Sequence, residues 1–187
     1  MILITGIGNG EPKYSETRHN AGHIGLDALR QALRYEGFTA HTAFKYDKYV
    51  QSDISKVKWG RDTVIILQKT MEAMNLSGIP VKSMFDREEI DEFVLFHDDL
   101  DIPLGDYKIQ KGKSPVCHKG VQSVENELGT KDFWRVRIGI ENRENRNIPG
   151  EDYVLGKFSK EEMAILGETL IEACEELLFT ELFEKWI

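Results

Sequence analysis

Residues 6–20, GIGNGEPKYSETRHN, gather Asn9, Tyr14, Arg18, His19 and Asn20 around a glycine turn, a set of residue types that fold-building alone does not require. The apolar run at residues 2–4 reads as a buried strand, so these polar groups are expected at a strand end, where open α/β sheets place their ligands. A catalytic or binding role follows. A dinucleotide fingerprint does not, because the third glycine it needs, three residues after Gly8, is replaced by Glu11. A second run, HDDLD, offers His97, Asp98, Asp99 and Asp101 as oxygen or nitrogen donors, and by residue type alone it would also suit a metal ion. A third feature is charge. Residues 107–124 carry Lys108, Lys111, Lys113 and Lys119 with no acidic residue, which is either a solvated face or an RNA contact.

The elements that position these groups are readable from periodicity. Ile24, Leu26, Leu29 and Leu33 place a helix over residues 22–35, with Gly37 as its terminator. Residues 46–54 and 63–68 read as strands joined around Trp59 and Gly60, and residues 93–96 as a strand that delivers His97, Asp98 and Asp99 at its end. A helix carrying Ile79, Met84 and Phe85 starts near Asn75. Residues 107–110 form a strand; Val121, Val124 and Leu128 lie at helical spacing before Gly129; residues 134–140 form a further strand, and residues 141–151 a polar loop. Ser159 and Glu162 make a capping box that opens a long helix reaching Leu178. Apolar strands alternating with amphipathic helices predict an α/β fold: a twisted, mixed, partly parallel sheet with helices on both faces.

At 187 residues and 41% hydrophobic content the chain can bury one sizeable core, so residues 1–187 are expected to form a single domain. The net charge of -8 excludes coating nucleic acid by bulk charge, though not a local basic patch. Cys117 and Cys174 have no metal or redox spacing and read as free thiols in a reducing cytosol. The N-terminal apolar run is too short for a signal peptide and no segment approaches a membrane span, so a soluble cytoplasmic protein is expected.

The stretches GIGNGEPKYSETRHNAG, MNLSG (residues 74–78), HDDLDIPLG (97–105), LGTKDFWRVRIGI (128–140) and YVLGKF (153–158) resemble, in order and spacing, those of bacterial-type peptidyl-tRNA hydrolases. The resemblance implies a monomeric esterase without cofactor or metal, whose partner is peptidyl-tRNA and which cuts the bond between a peptide and the terminal ribose of its tRNA. His19 falls on the family's general base, and Asp98 on the acid that fixes the histidine tautomer and stabilises its imidazolium. Asn9 and Asn75 match asparagines that hydrogen-bond substrate near the ester, and Tyr14 and Met74 match residues shaping the adjoining pocket. Arg137 matches a basic residue that holds a tRNA phosphate. Arg135 shares its strand face, Gln110 occupies a second basic position of that clamp, and Lys108, Lys111 and Lys113 surround Gln110.

The chain also departs from the family. GKSPVCHKG, residues 112–120, replaces a glycine-rich turn before a HisAsnGly triplet, so Lys119 stands where an asparagine is expected and should face the cleft of His19. An ammonium donates to a developing oxyanion but cannot accept from the catalytic water. Two alternatives therefore stand beside hydrolysis of peptidyl-tRNA: a catalytically weakened member acting as an RNA- or protein-binding module, and a hydrolase of a different ester or amide. Retention of His19, Asp98, Asn9 and Asn75 together favours the first reading, since a pure binder needs neither a base nor its orienting carboxylate.

Overall fold

β1 (Ile2–Gly6), the strand that leads into the first polar stretch, lies at the centre of a seven-stranded sheet and is buried along its whole length. The computed structural model describes residues 1–35, 38, 41–59, 63–145 and 147–180. The other strands are β2 (Lys45–Asp47), β3 (Ser52–Trp59), β4 (Thr63–Thr70), β5 (Glu92–Pro103), β6 (Tyr107–Lys111) and β7 (Trp134–Glu141), in the order β2-β3-β4-β1-β5-β7-β6. β1 runs parallel to β4 and β5, and β5 parallel to β7. β3 is antiparallel to β2 and β4, and β6 to β7, so the sheet is mixed.

The two-residue alternation of β1 divides the core. Ile2 and Ile4 pack with Leu26, Leu29 and Leu33 of α1 (Ala21–Tyr35) and with Leu166, Leu170 and Leu177 of α5 (Lys160–Leu178). Leu3 faces the opposite way, toward Val81 and Met84 of α2 (Gly78–Arg87) and Val121 and Val124 of α3 (Lys119–Leu128). Helices thus cover both faces, with the short α4 (Gly150–Val154) leading into α5. The Ser159–Glu162 capping box is present, and Gly129, at φ 67°, closes α3 in the left-handed region.

Two expected elements differ. Residues 46–54 are not one strand but the turn and flanks of the β2–β3 hairpin. The Asp47 carboxylate accepts from Tyr49 N at 2.9 Å and Gln51 takes φ 45°, which reverses the chain. β5 continues to Pro103, because β7 keeps pairing with it through Asp99 opposite Gly139. HDDLD therefore lies within a strand, not beyond its end. Gly37 and Gly60, assigned to a helix end and a strand joint, lie outside the described residues.

Candidate active site

Gly6 pairs with Phe96, so the chain leaving β1 passes beside the HDDLD segment of β5 in the middle of the sheet. Two short 3-10 turns, Pro12–Tyr14 and Arg18–Asn20, then lead into α1. A Cβ on Gly22 would lie 2.5 Å from the Phe96 carbonyl oxygen and 2.6 Å from that of Ile7. Only glycine lets the start of α1 rest on both strands, and that contact sets His19 beside Asp98. Asn20 ties down the preceding loop: Asn9 N donates to its Oδ1 at 2.9 Å, and its Nδ2 donates to the Asn9 carbonyl at 3.0 Å. Arg18, on the other side of His19, bonds Glu162 of α5 at 2.7 and 2.9 Å and lies 4.2 Å over the Tyr153 ring.

Asp98 is claimed by two imidazoles. His19 Nδ1 is 3.0 Å from each carboxylate oxygen, and His118 Nε2 is 2.8 Å from Oδ1. His118 is also the N-cap of α3, where its Nδ1 accepts from Gly120 N at 3.1 Å and Val121 N at 3.2 Å. Two amide donors on Nδ1 put the His118 proton on Nε2, so this ring donates to Asp98 and has no free lone pair. His19 donates through Nδ1, and its Nε2 lone pair is the basic atom of the cluster. Burial by itself would raise the Asp98 carboxyl. The electrostatic attraction and hydrogen bonds of the His19 and His118 N–H groups outweigh burial and hold it well below the usual carboxylate range.

Two further histidines lie buried around this corner and stay neutral. His97 donates through Nδ1 to the Asp98 carbonyl at 2.7 Å, its ring 5.2 Å from that of His118; burial pushes it down to about 3. His23 packs under Gly8 and is likewise pushed to about 3, by burial and then by Lys69. The metal reading of HDDLD does not hold for its four residues. Asp98 turns to the imidazoles, whereas Asp99 accepts from Arg137 at 2.7 Å and from Asp101 N at 2.9 Å. Among the described residues the set with donor atoms close enough for an ion is His19, Asp98 and His118, within 4.8 Å of one another and already hydrogen-bonded together.

Asn9 and Met74 are brought together, since Met74 N donates to Asn9 Oδ1 at 3.0 Å. This commits the Asn9 oxygen and leaves its Nδ2 as a donor. Asn75 is exposed on a 3-10 turn, Met74–Leu76, and faces a groove between α2 and α3. Tyr14 is half-buried, with Lys13 Nζ 4.8 Å from its ring. Lys119, expected to face the cleft of His19, instead lines the α2–α3 groove and reaches Glu151 at 3.4 Å. His118, one residue earlier, turns inward to Asp98 and was passed over by the sequence reading. Its signal was its place directly ahead of the helical spacing of Val121 and Val124.

Among the expected RNA contacts, Arg135 is a correction. It is 0% exposed, bonds Glu125 at 2.7 Å and donates to the Lys131 and Phe133 carbonyls, so it belongs under α3 and reaches no phosphate. Arg137 is held by Asp99 and, at 3.0 Å, by Gln110, and shows only an edge to solvent. Lys108, Lys111 and Lys113 are exposed, Lys111 lying 3.8 Å from Asp132. Cys117 is exposed and Cys174 buried, both free, and burial pushes the Cys174 thiol up to about 12. No described helix is long and apolar enough to cross a membrane.

A family model described as peptidyl-tRNA hydrolase matches residues 3–185. The chain is similar to a peptidyl-tRNA hydrolase of Thermodesulfovibrio yellowstonii, at 38% identity over 95% of this chain and 91% of that protein. It is similar to one of Bdellovibrio bacteriovorus at 35% identity, over 92% and 89% of the two chains. The crystal structure of peptidyl-tRNA hydrolase from Acinetobacter baumannii shares the fold with a TM-score of 0.81 at 24% identity, covering 100% of this chain and 90% of that one.

Proposed function

The chain belongs to the peptidyl-tRNA hydrolase family, which cleaves the ester of peptidyl-tRNA, and from that premise we propose that His19 is the general base of the reaction. His19 Nε2 takes a proton from water as the water oxygen attacks the ester carbonyl. Asp98, bonded to Nδ1, orients the ring and offsets the imidazolium charge that forms. The carbonyl–ribose bond then breaks, the proton passes from Nε2 to the ribose oxygen, and a peptide acid and free tRNA leave. Asn9 donates to the developing oxyanion through Nδ2, the amide atom left after Met74 takes its oxygen. Asn75 holds the peptide beside the ester, while Tyr14 and Met74 shape the surrounding wall.

Contacts to tRNA fall to Lys108, Lys111 and Lys113 and the exposed edge of Arg137. The chain acts as a single domain and a monomer in the cytoplasm, where its two free thiols, Cys117 and Cys174, stay reduced. A binding module would have no use for a base backed by a carboxylate, and neither alternative reading gains support from the relatives.

The observation that carries this mechanism is the 3.0 Å contact of His19 Nδ1 with both oxygens of a buried Asp98. Release of free tRNA from peptidyl-tRNA should fall about 100-fold to 10,000-fold in His19→Ala, with an unchanged melting curve. Undiminished turnover in that variant removes His19 as the base.

A further inference from the structure

The YVLGKF stretch takes no part in the chemistry, yet it grips the chain directly ahead of His19. Residues 16–18 and 156–158 lie side by side. Phe158 N donates to the Glu16 carbonyl at 3.1 Å and Arg18 N to the Gly156 carbonyl at 3.0 Å, with an antiparallel bridge between Thr17 and Lys157. The Arg18 side chain then enters a socket built from the same stretch and the start of α5. Its guanidinium lies 4.2 Å from the centre of the Tyr153 ring and 5.5 Å from that of Phe158, and Nη2 donates to both Glu162 oxygens, at 2.9 and 2.7 Å. A Cβ on Gly156 would lie 2.8 Å from Nη1, so the glycine of the motif leaves the guanidinium its place. The socket is itself pinned. Tyr153 Oη donates to the Ile140 carbonyl at 2.9 Å, and Glu162 closes the capping box of α5.

We propose that Arg18 is a positioning residue for the hydrolysis: seated in this socket, it fixes the backbone from which His19 reaches Asp98 and thereby aims Nε2 at the attacking water. The inference rests on the reading of His19 as the general base. The His19 ring is held through Nδ1 by Asp98 and lies 5.0 Å from the His118 ring, while Nε2 has to stay free for the proton. Its direction must therefore be set from the backbone. Three consecutive residues supply that, each tied to a different part of the fold: Arg18 to α5, His19 to β5 and Asn20 to the Asn9 loop. Neighbouring Cα atoms are about 3.8 Å apart, so a shift of Arg18 passes to His19 with little loss. The Arg18 side chain is 11% exposed and faces the socket, which leaves it out of contact with substrate. A lysine would answer the Glu162 charge but could not lie flat on the Tyr153 ring.

The test measures kcat and KM on a minimal substrate with only the terminal adenosine and a blocked aminoacyl group, beside melting curves. Arg18→Met should lower kcat about 10-fold to 100-fold with KM within about twofold, because a displaced base slows the chemical step without weakening binding. Arg18→Lys, which keeps the charge opposite Glu162 and so the fold, should lower kcat by roughly 10-fold. Adding Glu162→Gln to Arg18→Met removes the unpaired carboxylate and keeps a capping-box residue, so the melting temperature should recover while kcat stays low. In nitrogen-15 spectra the Nδ1–H resonance of His19 should broaden in all three variants. Recovery of kcat together with stability in the double variant would make Arg18 a structural brace alone and overturn the proposal. So would an unchanged kcat in Arg18→Lys, or a loss confined to KM. His19→Ala, read in the same series, separates the two readings: full activity there removes the base and the proposal with it, whereas an inactive His19→Ala beside fully active Arg18 variants removes the positioning role only.

Discussion

Asp98 and Asp99 are neighbours on β5, yet their carboxylates serve different regions. Asp98 receives His19 and His118 above the end of β1, in the interior of the sheet, and the cluster keeps one atom, His19 Nε2, uncommitted. Asp99 receives Arg137, which Gln110 also holds; two residues along the same strand Arg135 is closed off completely by Glu125 and two carbonyls. Both regions are dense in charge. In the first, hydrogen bonds leave one imidazole nitrogen free, as the proposed proton transfer requires; in the second they hold Arg135 between the sheet and α3 and Arg137 across β5, β7 and β6. Polar density alone therefore does not mark a site. The residual valence of one atom does.

Arg135 should expose that difference most strongly. Replacing it with Met removes a buried cation and leaves Glu125, only 8% exposed at its side chain, with the Ser114 hydroxyl and the exposed Lys131 at 3.6 Å as its remaining partners. A loss of about 3 kcal/mol in urea unfolding is expected, because the buried charge that remains is offset only by an exposed ammonium. Protein that stays folded should bind tRNA as before. Unchanged stability with weakened tRNA binding would return Arg135 to the RNA surface and undo the contrast.

Acid should act the other way round, on the catalytic corner. His23 and His97 are pushed to about 3 in the fold, against about 6.5 in an unfolded chain. Between those values the unfolded chain binds more protons, so stability is fully present above about pH 6.5 and drains away as pH falls toward 3. Each histidine contributes a slope of about 1.4 kcal/mol per pH unit in that window. Urea midpoints measured from pH 7 to pH 4.5 should fall, and His23→Phe should remove one proton's worth of the slope. A flat profile would mean that these rings are protonated without cost and that the corner is not held together by neutral histidines.

His118 gives a smaller effect but separates two roles. His118→Ser keeps an oxygen for the α3 N-cap and loses the donor to Asp98. A hydrogen bond to a charged group is worth about 1.5–3 kcal/mol, so turnover should drop on the order of 10-fold to 100-fold while the melting temperature barely moves. Equal losses of rate and stability in Ser and Ala variants would make His118 a cap alone.

The cluster around Asp98 and the region around Asp99, Arg135 and Arg137 were unequally legible in the sequence. His19 and Asp98 stood in motifs whose resemblance to peptidyl-tRNA hydrolases implied a base and its carboxylate, whereas by residue type alone HDDLD equally suited a metal ion. Helices on both faces followed from continuous apolar strands, such as Ile2 to Ile4, alternating with amphipathic helices. His118 was missed because histidine is not among the preferred capping residues, and its contact with Asp98 joins segments twenty residues apart. Arg135 was misplaced for a related reason: period-two spacing tells that it shares a face with Arg137, and only the packing of α3 tells which part of that face is covered. HDDLD was placed beyond a strand end because the sequence does not show that β7 pairs with β5 as far as Pro103. Strand order itself is a long-range property that local patterning does not carry.

The smallest effect concerns the exposed Lys108 and Lys113. With net charge -8, long-range attraction to tRNA is unfavourable, so affinity has to come from close contacts with few phosphates. Each such contact on a duplex-like backbone contributes about 0.9 to the slope of log affinity against log salt. Lys108→Gln and Lys113→Gln should each weaken tRNA binding modestly and lower that slope by about one contact, leaving turnover of a minimal substrate with only the terminal adenosine and peptide untouched. Arg137→Gln should move the slope less than either lysine, because Asp99 and Gln110 already hold its guanidinium. If Arg137→Gln flattens the slope more than both lysine variants, the guanidinium is released from Asp99 when tRNA binds, and the brace and the RNA contact are one residue in two states.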